Sequence, residues 1–409
     1  MNDFFAGMFI EYLLATLLGI SLGIFTGLAP GIHVNLVAVV LVSLAPFLST
    51  WISPVGVALI IIATAVTHTF LDAIPSTFLG APSPERVASI LPAHRLLHEG
   101  HGYEGVRLST VGAFCSLLLS LLLFPLLYSL VPLLYEAIKA TIGWLILAVV
   151  LYLIWREGDA NSRFWASMLF CFSGILGLIV LDLPLDQPLL PLLSGLFGVG
   201  SLLMALFEEV YLPPQTDAQV IIIEPSETLR CTIAATFSGW IASMLPGLGS
   251  AQAAILSTAF FKDLTSELYL IITGGINTVN FVLSLVTLAT LQKARNGAIV
   301  SVLELLPEVD LPTTLLFCVS VFIAGGVSTW LTFFFARRAI DLVAFVPYRL
   351  ICLSVLVFVV GLVGYLTGFL GLLVLSVSTA LGVLPPLLGC ARLHLMGCLL
   401  VPVMGFFLV

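Results

Sequence analysis

A proline followed by glycine inside a long apolar run constrains this chain more than any other feature. Residues 5–49 carry a single acidic side chain, Glu11, and no lysine or arginine. A helix continuous over that run would be about twice the ~20 residues a bilayer needs. Within it stands Gly23-Ile24-Phe25-Thr26-Gly27-Leu28-Ala29-Pro30-Gly31-Ile32-His33-Val34-Asn35. Proline then glycine is a poor place for a helix to continue, so the chain should break there, at or within the membrane. A break in hydrocarbon leaves backbone N–H and C=O groups unpaired, which is tolerated only where the break is buried in protein or lines a polar cavity. His33 and Asn35 follow at once, where a new helix would start.

The same device recurs as Phe237-Ser238-Gly239-Trp240-Ile241-Ala242-Ser243-Met244-Leu245-Pro246-Gly247-Leu248-Gly249-Ser250-Ala251-Gln252. Aligning Pro30 with Pro246 also aligns Gly23 with Gly239, Gly27 with Ser243, Gly31 with Gly247 and Ala38 with Ala254. Two such motifs, each near the start of one half of the chain, point to an internal duplication. Paired Gly/Pro-interrupted apolar segments in matching positions mark the binding site of many secondary transporters.

The chain is 60% apolar and 9% charged, with a mean hydropathy of +1.20, where a soluble protein carries about 25% charge. It reads as an all-α polytopic membrane protein. The net charge of −8 comes with no basic tract, which argues against nucleic acid as a partner. The cysteines lie singly, without a Cys-x-x-Cys pair, and read as small apolar fillers. The start Met-Asn-Asp lacks a basic n-region, so the first apolar segment is expected to stay in the membrane. There is no Walker A lysine motif, Gly-x-Ser-x-Gly or Gly-x-Gly-Asp. No metal and no cofactor is expected.

Hydropathy divides the chain into a first transmembrane repeat, 1–207, an acidic linker, 208–230, and a second repeat, 231–409. Apolar segments lie near 5–29, 31–49, 55–79, 109–135, 138–155, 164–183 and 187–207, then near 231–245, 248–261, 267–291, 313–336, 349–366, 369–388 and 393–409. Polar loops lie at 80–108 and 293–312. The expected fold is therefore two inverted-topology repeats with about 12–14 membrane segments and Pro-Gly-broken or re-entrant helices near the midplane. With an odd number of crossings per half and loop 80–108 in the cytoplasm, Arg86, Arg95, Arg107, Arg156, Arg163, Arg230, Arg337, Arg338, Arg349 and Arg392 fall inside. Lys139, Lys293 and Arg295 fall outside, the imbalance expected of a cell-membrane protein with both termini external.

Asp72 is the only acid deep in the third segment, where a carboxylate is costly and marks a functional site by default. His68 lies four residues earlier, on the same helix face. The pair could exchange a proton, or Asp72 could ligate a cation; a structural ion pair is the plainer alternative. Matching Arg86 to Arg295 places Asn277 opposite His68. The second half thus has amides, Asn277 and Asn280, where the first has titratable groups, which suits one coupling site rather than two. His33 and Asn35 follow the first break; Gly249, Ser250 and Gln252 follow the second. Two helix N-termini approaching from opposite sides would cradle a carboxylate or a phosphate. No lysine or arginine lies in either motif, so backbone dipoles and neutral side chains would hold the anion. The plainer readings are a satisfied core histidine for His33, helix–helix hydrogen bonds for Ser250 and Gln252, and close helix packing for the glycines. His94, His98 and His101, with Glu99 and Glu104, read as part of a solvated cytoplasmic loop and not as a metal site.

The paired Gly-x3-Gly-x2-Pro-Gly and Pro-Gly-x-Gly motifs resemble the TctA family, the large membrane subunit of tripartite tricarboxylate transporters. The runs Thr67-His68-Thr69-Phe70-Leu71-Asp72-Ala73-Ile74-Pro75-Ser76-Thr77-Phe78-Leu79-Gly80-Ala81-Pro82 and Leu91-Pro92-Ala93-His94-Arg95-Leu96-Leu97-His98-Glu99-Gly100-His101-Gly102-Tyr103-Glu104 are similar to its shorter, archaeal-type branch. The resemblance implies a cation-coupled carboxylate uptake permease working with a small membrane subunit and an extracytoplasmic solute-binding protein. It also implies a substrate-loop role for Pro30, Gly31, Pro246 and Gly247. The leading expectation is a secondary transporter of an organic anion, coupled to Na+ or H+, with alternating access between the halves. A polyprenyl-phosphate translocase is the alternative, against which the missing Ser-Gly-Gly-Thr stretch counts. A membrane enzyme using His68 and Asp72 as acid and base is a third reading, and the chain is not expected to be an enzyme. A homodimer stays open.

Overall fold

The computed structural model describes residues 2–29, 34–78, 90–185, 187–207, 213–217, 221–245, 249–258, 261, 264–294, 296–346 and 348–408, and no strand occurs among them. In chain order the helices are α1 (Asn2–Leu28), α2 (Val34–Leu48), α3 (Pro54–Leu71), α4 (Ala73–Phe78), α5 (Ile90–His98), α6 (Gly102–Leu122), α7 (Phe124–Ile138), α8 (Ile142–Trp155), α9 (Ala160–Leu181), α10 (Leu189–Leu193), α11 (Gly200–Phe207), α12 (Pro225–Met244), α13 (Ser250–Ser257), α14 (Ser266–Leu291), α15 (Gly297–Leu305), α16 (Leu311–Phe345), α17 (Tyr348–Leu388) and α18 (Gly397–Leu408).

Among the described residues, 8 helical stretches are long and apolar enough to cross a bilayer. Large apolar side chains such as Leu126, Leu133, Trp144, Phe172, Trp330 and Phe369 stand exposed on them, as they would toward lipid. This is a multi-pass integral membrane protein. One stretch is a hairpin and not a rod. At Gly368 the backbone of α17 takes φ +64° and ψ −159°, a region open to glycine alone. Val359 and Val363 of the first arm then pack in one cluster with Leu372 and Leu375 of the second. The two arms match the separate segments expected at 349–366 and 369–388.

Two stretches form the centre. In the most apolar 18-residue windows of Pro54–Phe78 (α3 and α4) and Ser266–Leu291 (α14), 94% of the residues are buried, against 17% in that of Arg349–Leu388. Their partners are exchanged between the halves. α3 is held by α1 of its own half and by α16 of the other; α14 is held by α12 of its own half and by α6 of the other. Small residues allow these approaches, as is usual between membrane helices. A Cβ on Gly19 of α1 would lie 2.5 Å from the Ile60 carbonyl oxygen, and one on Gly27 would lie 2.8 Å from Leu71 Cβ. Gly239 of α12, matched to Gly23 by the repeat, likewise sits against Val279 of α14, where a Cβ would come within 2.8 Å. Between α6 and α14 the approach is closer still: Gly112 lies on the Ile271 carbonyl and Gly274 on the Ser109 carbonyl.

Two expectations need correction. The segment expected at 109–135 is two helices, α6 and α7, divided at Leu123 before Pro125 near the start of α7. The described part of loop 80–108 is not a solvated loop. Ala93, Leu96, Leu97 and Glu104 are all at most 2% exposed, because α5 is amphipathic and buries its apolar stripe. The described part of the linker is bonded to the end of α5 and the start of α6. Gln215 Nε2 donates to the Leu97 carbonyl at 2.9 Å while its Oε1 accepts from Gly102 N at 3.0 Å. Glu104 accepts from Ile221 N at 3.0 Å and from the Arg107 guanidinium, which also donates to the Ile221 carbonyl at 2.6 Å.

An ion pair between a buried histidine and a half-buried glutamate staples the α8–α9 turn to the chain ahead of α18. His394, 2% exposed, meets Glu157 Oε1 at 2.8 Å, and Ala391 N donates to the same oxygen at 3.0 Å. Burial alone would raise the Glu157 carboxyl; the bonds from His394 and Ala391 outweigh it and hold it below the usual value. A depressed carboxyl stabilises the fold above its unfolded value of about 4.3, and that contribution is lost as pH falls through the folded value. Glu157→Gln is expected to cost about 2 kcal/mol near neutral pH and to flatten the acid limb of the stability profile. Thermal unfolding of variant and parent between pH 3 and 7 checks both.

Candidate functional site

The polar content of the protein interior concentrates where the two central helices meet. Pro75 has no N–H to bond the Leu71 carbonyl, and the helix breaks there into α3 and α4 with Asp72 at the junction. Asp72 is 5% exposed, and its backbone oxygen accepts from the Ser76 hydroxyl at 2.6 Å. Across the interface Asn277 of α14 donates its amide to Asp72 Oδ2 at 3.5 Å. The Ser250 hydroxyl donates in turn to Asn277 Oδ1, also at 3.5 Å. These contacts are longer than the ~2.9 Å of a tight hydrogen bond, so the group is gathered without being locked.

Described residues beside both Pro-Gly motifs lie here. Gly27, three residues ahead of Pro30, lies against the other side of the same junction: a Cβ there would sit 3.4 Å from both Asp72 N and His68 Cα. His68 Nδ1 contacts the Thr26 hydroxyl of that motif at 3.2 Å. From the second break, Ser250 and Gln252 open α13 beside Asn277. Gln252 is fully buried, and its Oε1 accepts from Gly249 N at 3.0 Å. Among the described residues its Nε2 finds no hydrogen-bond partner, so a buried amide donor is left over at the start of a helix.

The structure therefore brings together His68, Asp72, Asn277, Gly249, Ser250 and Gln252. Asn35 is placed elsewhere, against Gly297 at the start of α15, where a Cβ on the glycine would meet Asn35 Cγ at 2.6 Å. Asn280 is half-buried, and its carbonyl accepts from Ser284 at 2.8 Å. Pro30, Gly31, His33, Pro246 and Gly247 lie outside the described residues.

Three threonines belong to the site that the motifs did not single out: Thr26, Thr69 and Thr278. The hydroxyls of Thr69 and Thr278 share a hydrogen bond of 3.3 Å across the central interface. The alignment that sets Asn277 opposite His68 also sets Thr278 opposite Thr69, and these two residues touch. That alignment was the available signal. A second hydroxyl pair, Ser328 donating to Thr67 at 3.0 Å, carries α16 onto the same helix.

His94 stands apart from this group. Its ring lies edge-on to His98 with centroids 6.2 Å apart. Burial first, then the neighbouring His98 and Arg392, push it down to about 4, so it is neutral at physiological pH.

A family model described as "Tripartite tricarboxylate transporter TctA family" matches residues 13–397. An uncharacterized protein of Methanocaldococcus jannaschii is 30% identical over 295 residues, which is 70% of this chain and 70% of that protein. No solved structure matches the chain.

Proposed function

The chain belongs to the TctA family of tripartite tricarboxylate transporters, and from that premise we propose that it is a secondary permease for a carboxylate, coupled to Na+ or H+. One observation carries the reading. A neutral donor suited to an anion, Ser250, is joined through Asn277 to one buried carboxylate, Asp72, and the same helix start holds a second buried donor, Gln252 Nε2, with no hydrogen-bond partner among the described residues. A carboxylate beside an anion site repels the substrate until a proton or Na+ neutralises it. Each ligand then raises the affinity for the other by the same factor, which is coupling in thermodynamic form. Thr69, Thr278 and Asn277 offer oxygen ligands of the kind hard cations take.

Length supports re-entry at the second break: α13 has 8 residues, about 12 Å of helix against a hydrocarbon core of about 30 Å. In this reading the halves have inverted topology, and access alternates as the group around α3 moves against the group around α14. The chain sits in the cell membrane, where a small membrane subunit and an extracytoplasmic solute-binding protein deliver substrate.

The test is thermal stabilisation of the purified protein by a panel of anions, each with Na+ or at low pH. A di- or tricarboxylate at 100 times its Kd adds about 2.7 kcal/mol, and one of the two cations should deepen that shift. Silence from every soluble anion, with a shift from polyprenyl phosphate alone, would overturn the carboxylate reading.

A further inference from the structure

A cavity lies one short helix away from the central group. Its volume is about 340 Å3, and among the described residues it is lined by Pro92, Arg156, Thr258, Thr265, Ser266 and Tyr269, with Phe261 and Leu264 beside them. That is within the range of small-molecule sites, roughly 300–1,000 Å3. The chain builds it from opposite helix ends. The last turn of α13 presents its carbonyls there, and α14 begins there at its N-cap, Thr265.

Arg156 decides the sign of this cavity. It comes from the α8–α9 turn, donates through Nη1 to the Ile255 carbonyl at 2.9 Å, and donates through the same nitrogen to the Thr258 hydroxyl. The C-terminal pole of α13 would otherwise repel an anion; the guanidinium neutralises it. Both contacts use one nitrogen of a fork that carries five N–H donors, and such a fork matches a carboxylate bidentately. The Thr265 hydroxyl oxygen accepts from Leu268 N at 3.4 Å, so its own proton points to another acceptor.

The position is as telling as the chemistry. α13 runs from this cavity back to Ser250 in about 12 Å, and α14 runs from Ser266 to Asn277 in about 16 Å. Both helices that wall the cavity lead to the central group. We propose that the Arg156 cavity is a second carboxylate-binding site, a way station between the central group and one membrane face. This rests on the carboxylate reading above. A substrate carboxylate there takes the guanidinium, with Thr265 and Ser266 supplying hydroxyl donors, while the Thr258 hydroxyl, which donates to the Ile255 carbonyl at 2.7 Å, holds the guanidinium in place.

The experiment is equilibrium binding of radiolabelled citrate to the full chain in phosphatidylcholine nanodiscs. The parent should bind two citrates. Arg156→Gln and Thr265→Trp, the second filling the cavity without touching the guanidinium, should each bind one; Arg156→Lys should recover part of the loss. Asn277→Leu should lose the other citrate. A parent that binds one citrate, lost in Asn277→Leu and kept in Arg156→Gln, overturns this inference and leaves the central reading standing. A single citrate lost in Arg156→Gln and kept in Asn277→Leu does the reverse. Retention of added phosphatidylglycerol that depends on Arg156, without a second citrate, makes the cavity a lipid headgroup site and overturns the inference. No citrate bound by the parent overturns both.

Discussion

Asp72→Asn is expected to abolish ion-driven accumulation of carboxylate in proteoliposomes while the protein stays folded. The substitution keeps the size of the side chain and an oxygen to accept from Asn277, and it removes the charge from a residue only 5% exposed. Nothing then remains to be neutralised by a proton or Na+, so substrate affinity should lose its dependence on either. A fall of about 100-fold in the accumulation ratio corresponds to roughly 2.8 kcal/mol of coupling, at 1.4 kcal/mol per tenfold. Counterflow, which needs binding but no gradient, should persist. Unchanged accumulation in a monodisperse variant would remove Asp72 from the coupling site.

Gly274→Leu should prevent the protein from accumulating in folded form at all. Gly274 packs on the backbone carbonyl of Ser109, and Gly112 opposite packs on the backbone carbonyl of Ile271. A side chain there meets main chain, not a flexible tip, so α6 and α14 would have to separate along their crossing. Overpacking usually costs 1–3 kcal/mol; displacing two helices in backbone contact puts the cost above about 4 kcal/mol. Gly326→Leu is the control, since a Cβ there meets nothing within 4 Å. Gel filtration in detergent and the melting temperature report the outcome. A Gly274→Leu protein as stable as the control would mean that the crossing is not as tight as described.

Much of this arrangement was legible in the chain. Proline beside glycine in an apolar run located both breaks, because few other dipeptides are so poor at continuing a helix. The register linking the halves set Gly23 against Gly239, and both glycines pack on the central helix of their own half. Buried charge located Asp72. Lateral pairing was not legible. α3 and α14 are apolar on nearly every face, so no stripe shows which neighbour covers which side, and nothing marked α6 as the partner of α14. The α5 segment was misread because its charged face, Arg95 and Glu99, is exposed while Ala93, Leu96 and Leu97 are buried beneath it. Thr26 was passed over because a lone hydroxyl in an apolar helix can satisfy itself on its own backbone, as Thr26 also does at Gly23 O, 3.3 Å away. Its second contact, to His68, becomes visible only when α1 lies on α3.

The exchanged packing sets a timetable for biosynthesis. α3 is complete once Leu71 has been made, yet the helix that covers its remaining side, α16, begins at Leu311. At about 5–20 residues per second, the ribosome needs on the order of 10–50 s to cross that interval. For all of it Thr67 waits for Ser328, and the side of α3 that α16 will cover must be sheltered by the insertion machinery or by lipid. α6, in contrast, is already in place when α14 emerges, so the second half assembles onto a ready template. The vulnerable stage for degradation is therefore the nascent first half, and a chain truncated before α16 should be cleared quickly even though every residue of its Asp72 segment is present.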